Sequence, residues 1–160
     1  MMDASALPAL MKGRTLCCAE SCTGGMIGET VTSVPGSSSF FVGSAVTYSN
    51  EAKMRLLEVP FGILMQYGAV SEQTAACMAK GARKLFSADI AVAVTGIAGP
   101  GGATDTKPVG LVYIAVYDGK DVTVKENRFK GSREEVRRQT VDTALEMVAK
   151  VIEKDVWLSR

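Results

Sequence analysis

The sequence predicts an α/β fold: a three-layer α/β/α sandwich around a mixed, mostly parallel sheet. Apolar runs of strand length alternate along the chain with segments of helical period, and two strands joined by a tight turn precede the last helix. At 160 residues and 47% hydrophobic content the chain can bury one sizeable core but not two, so one domain over 1–160 is expected.

Leu7, Leu10 and Met11 suggest a short first helix, and Thr15 to Ala19 is a compact apolar run that predicts a buried strand. Glu20 to Gly25 leads into a helix carrying Met26, Ile27, Thr30 and Val31. After the Pro35 to Ser39 turn, Phe40 to Tyr48 predicts a second buried strand. Ser49 is a natural N-cap for a helix over Asn50 to Leu57, with Pro60 just past its end. No element is assigned between Pro60 and Ser71. From Ser71 to Phe86, apolar Ala75, Met78, Ala82, Leu85 and Phe86 fall at i, i+3, i+4 spacing, which predicts an amphipathic helix. Ile90 to Val94 is an uninterrupted apolar strand, and glycine- and proline-rich Thr95 to Gly110 is expected to be a long functional loop. Val109 to Tyr117 and Val122 to Phe129 flank Asp118-Gly-Lys-Asp121 as a hairpin. Ser132 and Glu135 form a capping box for the last helix, which buries Val136, Val141, Ala144, Leu145, Val148, Val151 and Ile152.

Composition removes several classes of function. There is no histidine, which rules out a Ser-His-Asp triad, a Cys-His dyad and any His-ligated zinc site. A net charge of +1 gives no global field for a polyanion, so nucleic acid is not an expected partner. The first residues lack the basic and apolar regions of a secretory signal and no apolar run reaches membrane-spanning length, so a cytoplasmic protein with no membrane partner is expected. Cys17, Cys18, Cys22 and Cys77 contain no C-x-x-C pair and fit reduced packing thiols.

In open α/β sheets ligands collect beyond the carboxyl ends of strands, which directs attention to Glu20–Gly25, Tyr48–Lys53 and Thr95–Gly110. Ser21 follows a strand and precedes a helix entry containing Gly24 and Gly25, where a ligand can approach the backbone closely. It is a candidate nucleophile; the alternative is that Ser21 or Thr23 is a helix cap. Without histidine, its base is a Lys, Asp, Glu or Tyr, and Lys53 is the attractive choice. Behind the Ser49 cap it lies early in its helix, its side chain leaning back toward the sheet edge and the positive end of the dipole opposing its charge. Lowering a lysine from about 10.4 to about 7 corresponds to roughly 4.6 kcal/mol, more than the roughly 0.3–2 kcal/mol a dipole supplies, so burial or another cation is required. The alternative is an ordinary solvated helix lysine. The glycine-rich loop matches neither Walker A nor G-x-G-x-x-G. Arg133 and Arg137, at i, i+4 on the opening of the last helix, suit one phosphate together or, alternatively, pair with nearby glutamates.

Ala19-Glu-Ser-Cys-Thr-Gly-Gly25, Val46-Thr-Tyr-Ser-Asn-Glu-Ala-Lys53, Tyr67-Gly-Ala-Val-Ser-Glu72, Thr95-Gly-Ile-Ala-Gly-Pro100 and Lys107-Pro-Val-Gly110 occur in this order, and nearly the whole chain resembles the CinA C-terminal domain family. The resemblance implies a three-layer mixed-sheet fold and, as in stand-alone family members, a metal- and cofactor-free Ser-Lys amidohydrolase. The implied reaction converts nicotinamide mononucleotide and water to nicotinate mononucleotide and ammonia, within pyridine nucleotide recycling. Carried over by motif, Ser21 attacks the carboxamide carbon and Lys53 takes and returns the proton. Ser38 would help hold the oxyanion, and Tyr48 would orient Lys53 or the ring. Thr23, Gly24, Thr95, Gly96, Ala98 and Gly99 would bind substrate, with its phosphate near Gly131 to Arg137, on Arg133 or Arg137. A homodimer is implied as well. Full-length members carry an additional N-terminal domain, for which 160 residues leave no room. Rival readings are a non-catalytic nucleotide-binding domain linked to competence or DNA damage, a thiol enzyme using Cys22 or Cys18, and a structural subunit in DNA uptake or repair.

Overall fold

In the computed structural model, which describes residues 2–158, the sheet has five strands in the order β2-β1-β3-β4-β5. These are β1 (Leu16–Glu20), β2 (Phe41–Val46), β3 (Ile90–Gly96), β4 (Leu111–Tyr117) and β5 (Val122–Arg128). β1 pairs in parallel with β2 and β3, whereas β4 is antiparallel to both β3 and β5, so β4 alone opposes the common direction. The mixed sheet expected from the sequence is therefore present, with four strands in one direction but its ladders divided equally between parallel and antiparallel.

Helices cover both faces. On one side lie α1 (Leu7–Met11), α2 (Met26–Thr32) and α6 (Arg133–Leu158); on the other lie α3 (Asn50–Leu57), α4 (Phe61–Tyr67) and α5 (Glu72–Phe86). Strand alternation sorts the core by size. Leu16, Cys18, Ile90, Val92, Val94, Val112, Ile114 and Val116 face α6 and its neighbours. Cys17, Ala19, Ala91, Ala93 and Ala115 face α5. Each fully buried Val, Leu or Ile of the first set contributes roughly 1.5–3 kcal/mol, and the small residues of the second let α5 lie close to the strands.

The helix starts follow local chemistry. The Ser49 side chain accepts from the Ala52 amide at 3.0 Å, capping α3 as its sequence predicts. Ser132 and Glu135 exchange the two bonds of a capping box at the start of α6. At α2 the expected serine or threonine cap is absent: Gly25 is the cap residue, and the Glu20 carboxylate accepts from the Ile27 and Gly28 amides instead.

Three expectations need correction. β2 is not buried: it is the sheet edge, with Val42 and Val46 each 45% exposed. Thr95 and Gly96 belong to β3, so the glycine-rich loop begins only at Ile97. α4 was unassigned because seven residues are too few to display a helical period, and Pro60, which reads as a terminator of α3, also caps α4.

Candidate active site

β1, β2 and β3 are parallel, so the segments following them emerge at one edge of the sheet, and β3 to β4 pairing puts the loop before Leu111 there too. A cavity of about 170 Å³ opens at this edge, lined by Ser21, Cys22, Tyr48, Lys53, Ala69, Val70, Thr95, Gly96, Ala98 and Arg133. Three segments widely separated in sequence thus meet where an open α/β sheet places its ligands.

Ser21 continues the β1 ladder, its amide donating to the Val94 carbonyl at 3.2 Å, which fixes its backbone to the sheet. Its Oγ lies 2.9 Å from Lys53 Nζ. Lys53 is 1% exposed, and Nζ also donates to the carbonyls of Thr47 at 2.7 Å and Tyr48 at 3.3 Å. No acidic group among the described residues forms an ion pair with it. Burial lowers its pKa from the usual 10.5 to about 8, while the Cys22 thiol acts in the opposite direction. Desolvation therefore does what the helix dipole alone cannot. A neutral amine has two hydrogens and one lone pair; with the hydrogens on the Thr47 and Tyr48 carbonyls, the lone pair faces Ser21 Oγ.

Glu20, which is not among the residues expected at the site, anchors the nucleophile loop. It is fully buried, and besides the two α2 amides its carboxylate accepts from Thr23 Oγ1 at 2.7 Å and Ser44 Oγ at 2.6 Å. A carboxylate closing an apolar strand just before a helix was the available signal, since an acid suits a helix N-terminus. Cys22, the nucleophile of the rival thiol reading, lines the cavity too, as do Ala69 and Val70, which no expectation placed there.

The other expected site residues divide. Thr95, Gly96, Ala98, Tyr48 and Arg133 reach the cavity; Thr95 Oγ1 donates to the Ala69 carbonyl at 2.7 Å, tying β3 to the α4–α5 connection. Tyr48 influences Lys53 through its carbonyl, because the residue is 64% exposed and its hydroxyl accepts from Arg133 at 3.4 Å. Thr23 is corrected: it is fully buried with its hydroxyl turned onto Glu20, so it holds the loop and does not face the cavity. Gly24 lies beside Arg137 and not on the cavity wall, and Gly99 contributes a carbonyl that accepts from Arg133 at 2.8 Å.

Ser38 is also corrected. It lies in the 3-10 turn Ser37–Ser39 before β2, whereas Ser21 follows β1, so parallel pairing puts them at opposite ends of the sheet. The strand between them rises about 3.3 Å per residue, far beyond hydrogen-bond reach. Within this chain Ser38 has no access to the Ser21 oxyanion.

The two arginines have distinct surroundings. Arg133 lines the cavity without a carboxylate partner among the described residues, and Arg137 turns inward to the Cys22 and Thr23 carbonyls. The glutamate pairing weighed from the sequence occurs at Arg138, which meets Glu134 at 2.8 Å.

Burial also raises the thiols: Cys22 to about 11, Cys17 to about 12 and Cys18 well above its ordinary value. A thiol nucleophile needs the thiolate, so these surroundings oppose the thiol-enzyme reading. Among the described residues, no group of three or more His, Cys, Asp or Glu is placed to hold a metal, and no helix is long and apolar enough to cross a membrane.

The fold and motifs have close counterparts. A CinA-like protein of Geobacter metallireducens is 53% identical over 134 residues, covering 84% of this chain and 32% of that protein. Another, from Acidobacterium capsulatum, is 51% identical over 138 residues, covering 86% and 33% respectively. The chain thus spans about a third of the length of these relatives. Among solved structures, the competence/damage inducible protein CihA from Agrobacterium tumefaciens superposes with a TM-score of 0.89 at 42% identity, covering 96% of this chain and 97% of that one. A CinA superfamily protein from Klebsiella pneumoniae gives 0.90 at 33% identity, covering 95% of each. With residues 2–152 matching the family pattern, the chain belongs to the CinA C-terminal domain family.

Proposed function

We propose that the protein is an amidohydrolase that converts nicotinamide mononucleotide and water to nicotinate mononucleotide and ammonia. The observation that carries this reading is the buried Lys53 amine, its pKa lowered to about 8, 2.9 Å from Ser21 Oγ. A serine hydroxyl becomes a useful nucleophile only when a base removes its proton, and among the described residues the other hydrogen-bond partners of this lysine are the Thr47 and Tyr48 carbonyls.

In the proposed reaction neutral Lys53 takes the Ser21 proton as Oγ attacks the carboxamide carbon. The resulting ammonium returns the proton to the leaving nitrogen, and ammonia departs from an acyl ester on Ser21. Water, deprotonated by Lys53, then cleaves the ester and restores the serine. The oxyanion donor replacing Ser38 is the amide of Cys22, the residue after the nucleophile and one that lines the cavity; among the described residues this amide donates to no backbone carbonyl. Ala69, Val70 and Ala98 give the ring apolar contact, and Arg133, which has no carboxylate partner among the described residues, suits the phosphate. The near-neutral charge suits a small anionic substrate better than nucleic acid, and four free cysteines fit the reducing cytoplasm.

The test is ammonia release from nicotinamide mononucleotide by purified, EDTA-treated protein. Sustained release supports the proposal; binding of the nucleotide without release would replace it with the non-catalytic binding domain.

A homodimer joined along β2 belongs to the same proposal. Its support is the contrast between the sheet edges: β5 carries Lys125, Glu126 and Arg128, whereas Phe41–Val46 has no charge and exposes Val42 and Val46. Edge strands that stay single are usually guarded by charge. Sedimentation equilibrium should give twice the chain mass for the parent and a monomer for Val42→Lys; a monomeric parent at tens of micromolar would remove the dimer.

A further inference from the structure

Arg133 and Arg137 are one turn apart on α6, and their spacing alone suggests that both serve one anion. The side chains diverge. Arg137 Nε donates to the Cys22 carbonyl at 3.1 Å and Nη2 to the Thr23 carbonyl at 2.9 Å, so its fork grips two consecutive peptides just after Ser21.

The Gly24 amide donates to the Ser21 carbonyl at 3.1 Å and the Met26 amide to the Thr23 carbonyl at 3.0 Å, but among the described residues no main-chain bond holds Cys22 between them. Gly24 and Gly25 both have positive φ, +58° and +108°, and glycine holds such conformations with little intrinsic preference. Glu20 fixes the Thr23 hydroxyl and the α2 amides, but it accepts from neither Cys22 nor Ser21. Arg137 adds a hold from α6: with the Cys22 and Thr23 carbonyls pointing at it, planar trans peptides send the Thr23 and Gly24 N–H groups the opposite way. The nucleophile loop is thus clamped between a carboxylate beneath it and a guanidinium on the opposing helix, with Lys53 approaching from the other helical layer.

We infer that Arg137 is a positioning residue for Ser21, acting through the Cys22 and Thr23 carbonyls, and that Arg133 alone of the pair contacts the substrate anion. This rests on the proposed Ser-Lys hydrolysis, and the test separates the two. In ammonia release from nicotinamide mononucleotide, Arg137→Ala should lower kcat by about 10²-fold, the scale of an ångström-level misplacement, with KM within about twofold. Arg133→Ala should mainly raise KM. Arg137→Lys, a single point donor in place of a fork, should recover only part of kcat, and millimolar guanidinium should partly restore Arg137→Ala.

A second readout needs no natural substrate: the rate at which a fluorophosphonate labels Ser21. Arg137→Ala should slow labelling, and Arg138→Ala, which removes an exposed guanidinium paired with Glu134 on the same helix, should not. Labelling of the parent without ammonia release would refute the substrate and leave the positioning role to be decided by the labelling rates. A raised KM with unchanged kcat in Arg137→Ala would make it a phosphate ligand. Unchanged kcat and labelling with a lowered melting point would make it a structural strut only. A folded parent that neither labels nor turns over would remove the nucleophile and the inference with it.

Discussion

Ser21→Ala should lower ammonia release from nicotinamide mononucleotide by about 10³-fold or more, the scale on which loss of a covalent nucleophile acts. Binding should survive, because Arg133 and the apolar wall formed by Ala69, Val70 and Ala98 are untouched. Ser21 is buried but small, and its removal leaves Glu20, Thr23 and Arg137 holding the loop, so the melting temperature should move by only a few degrees. Turnover, nucleotide affinity by calorimetry and melting, measured together, check this. Turnover near that of the parent would mean that Ser21 is not the nucleophile, whatever its distance from Lys53.

Lys53→Met should remove about 10²–10⁴-fold of kcat, the range for a positioned general base. Lys53→Arg should be equally impaired, since a guanidinium keeps the charge but cannot release its proton. In the parent the active form is the neutral amine, so kcat/KM should rise about tenfold per pH unit below about 8 and level off above it, following the lowered pKa. Stability should respond at higher pH, where the rate has levelled off. The lysine pKa is lower folded than unfolded, so from about 8 to 10.5 the unfolded chain holds the extra proton, and the parent should gain stability relative to Lys53→Met as pH rises. A flat rate profile across pH 6.5 to 9.5 would assign the proton transfer elsewhere.

Much of this molecule could be read from its residues, for identifiable reasons. β1, β3, α5 and the β4–β5 hairpin have strong periodicity or uninterrupted apolar runs, and their observed limits lie within two residues of those expected. Ser49 and the Ser132–Glu135 pair announce helix starts because capping is local chemistry. β2 is legible as a strand but not as an edge: Phe41, Val42 and Val46 look like core residues, and only strand order shows their exposure. The Ser21 and Lys53 assignments met in space because both follow parallel strands, whereas Ser38 precedes one, a distinction that motif matching ignores. The separate fates of Arg133 and Arg137 were invisible in their i, i+4 spacing, since they depend on which carbonyls the nucleophile loop turns toward α6.

The alanine-rich face of the sheet bears on the chemistry as well as on the packing. Ala19, Ala91, Ala93 and Ala115 keep α5 low, and Gly81 lets α5 touch the last turn of α3, where a Cβ would collide with the Leu57 carbonyl. Ser21 is fixed to the strands and Lys53 is carried by α3, so the distance between them acts as a caliper on the thickness of that layer. A four-carbon stem spans the gap only while the layer stays thin, and methyl groups added under α5, remote from any substrate, would part the proton donor from its acceptor.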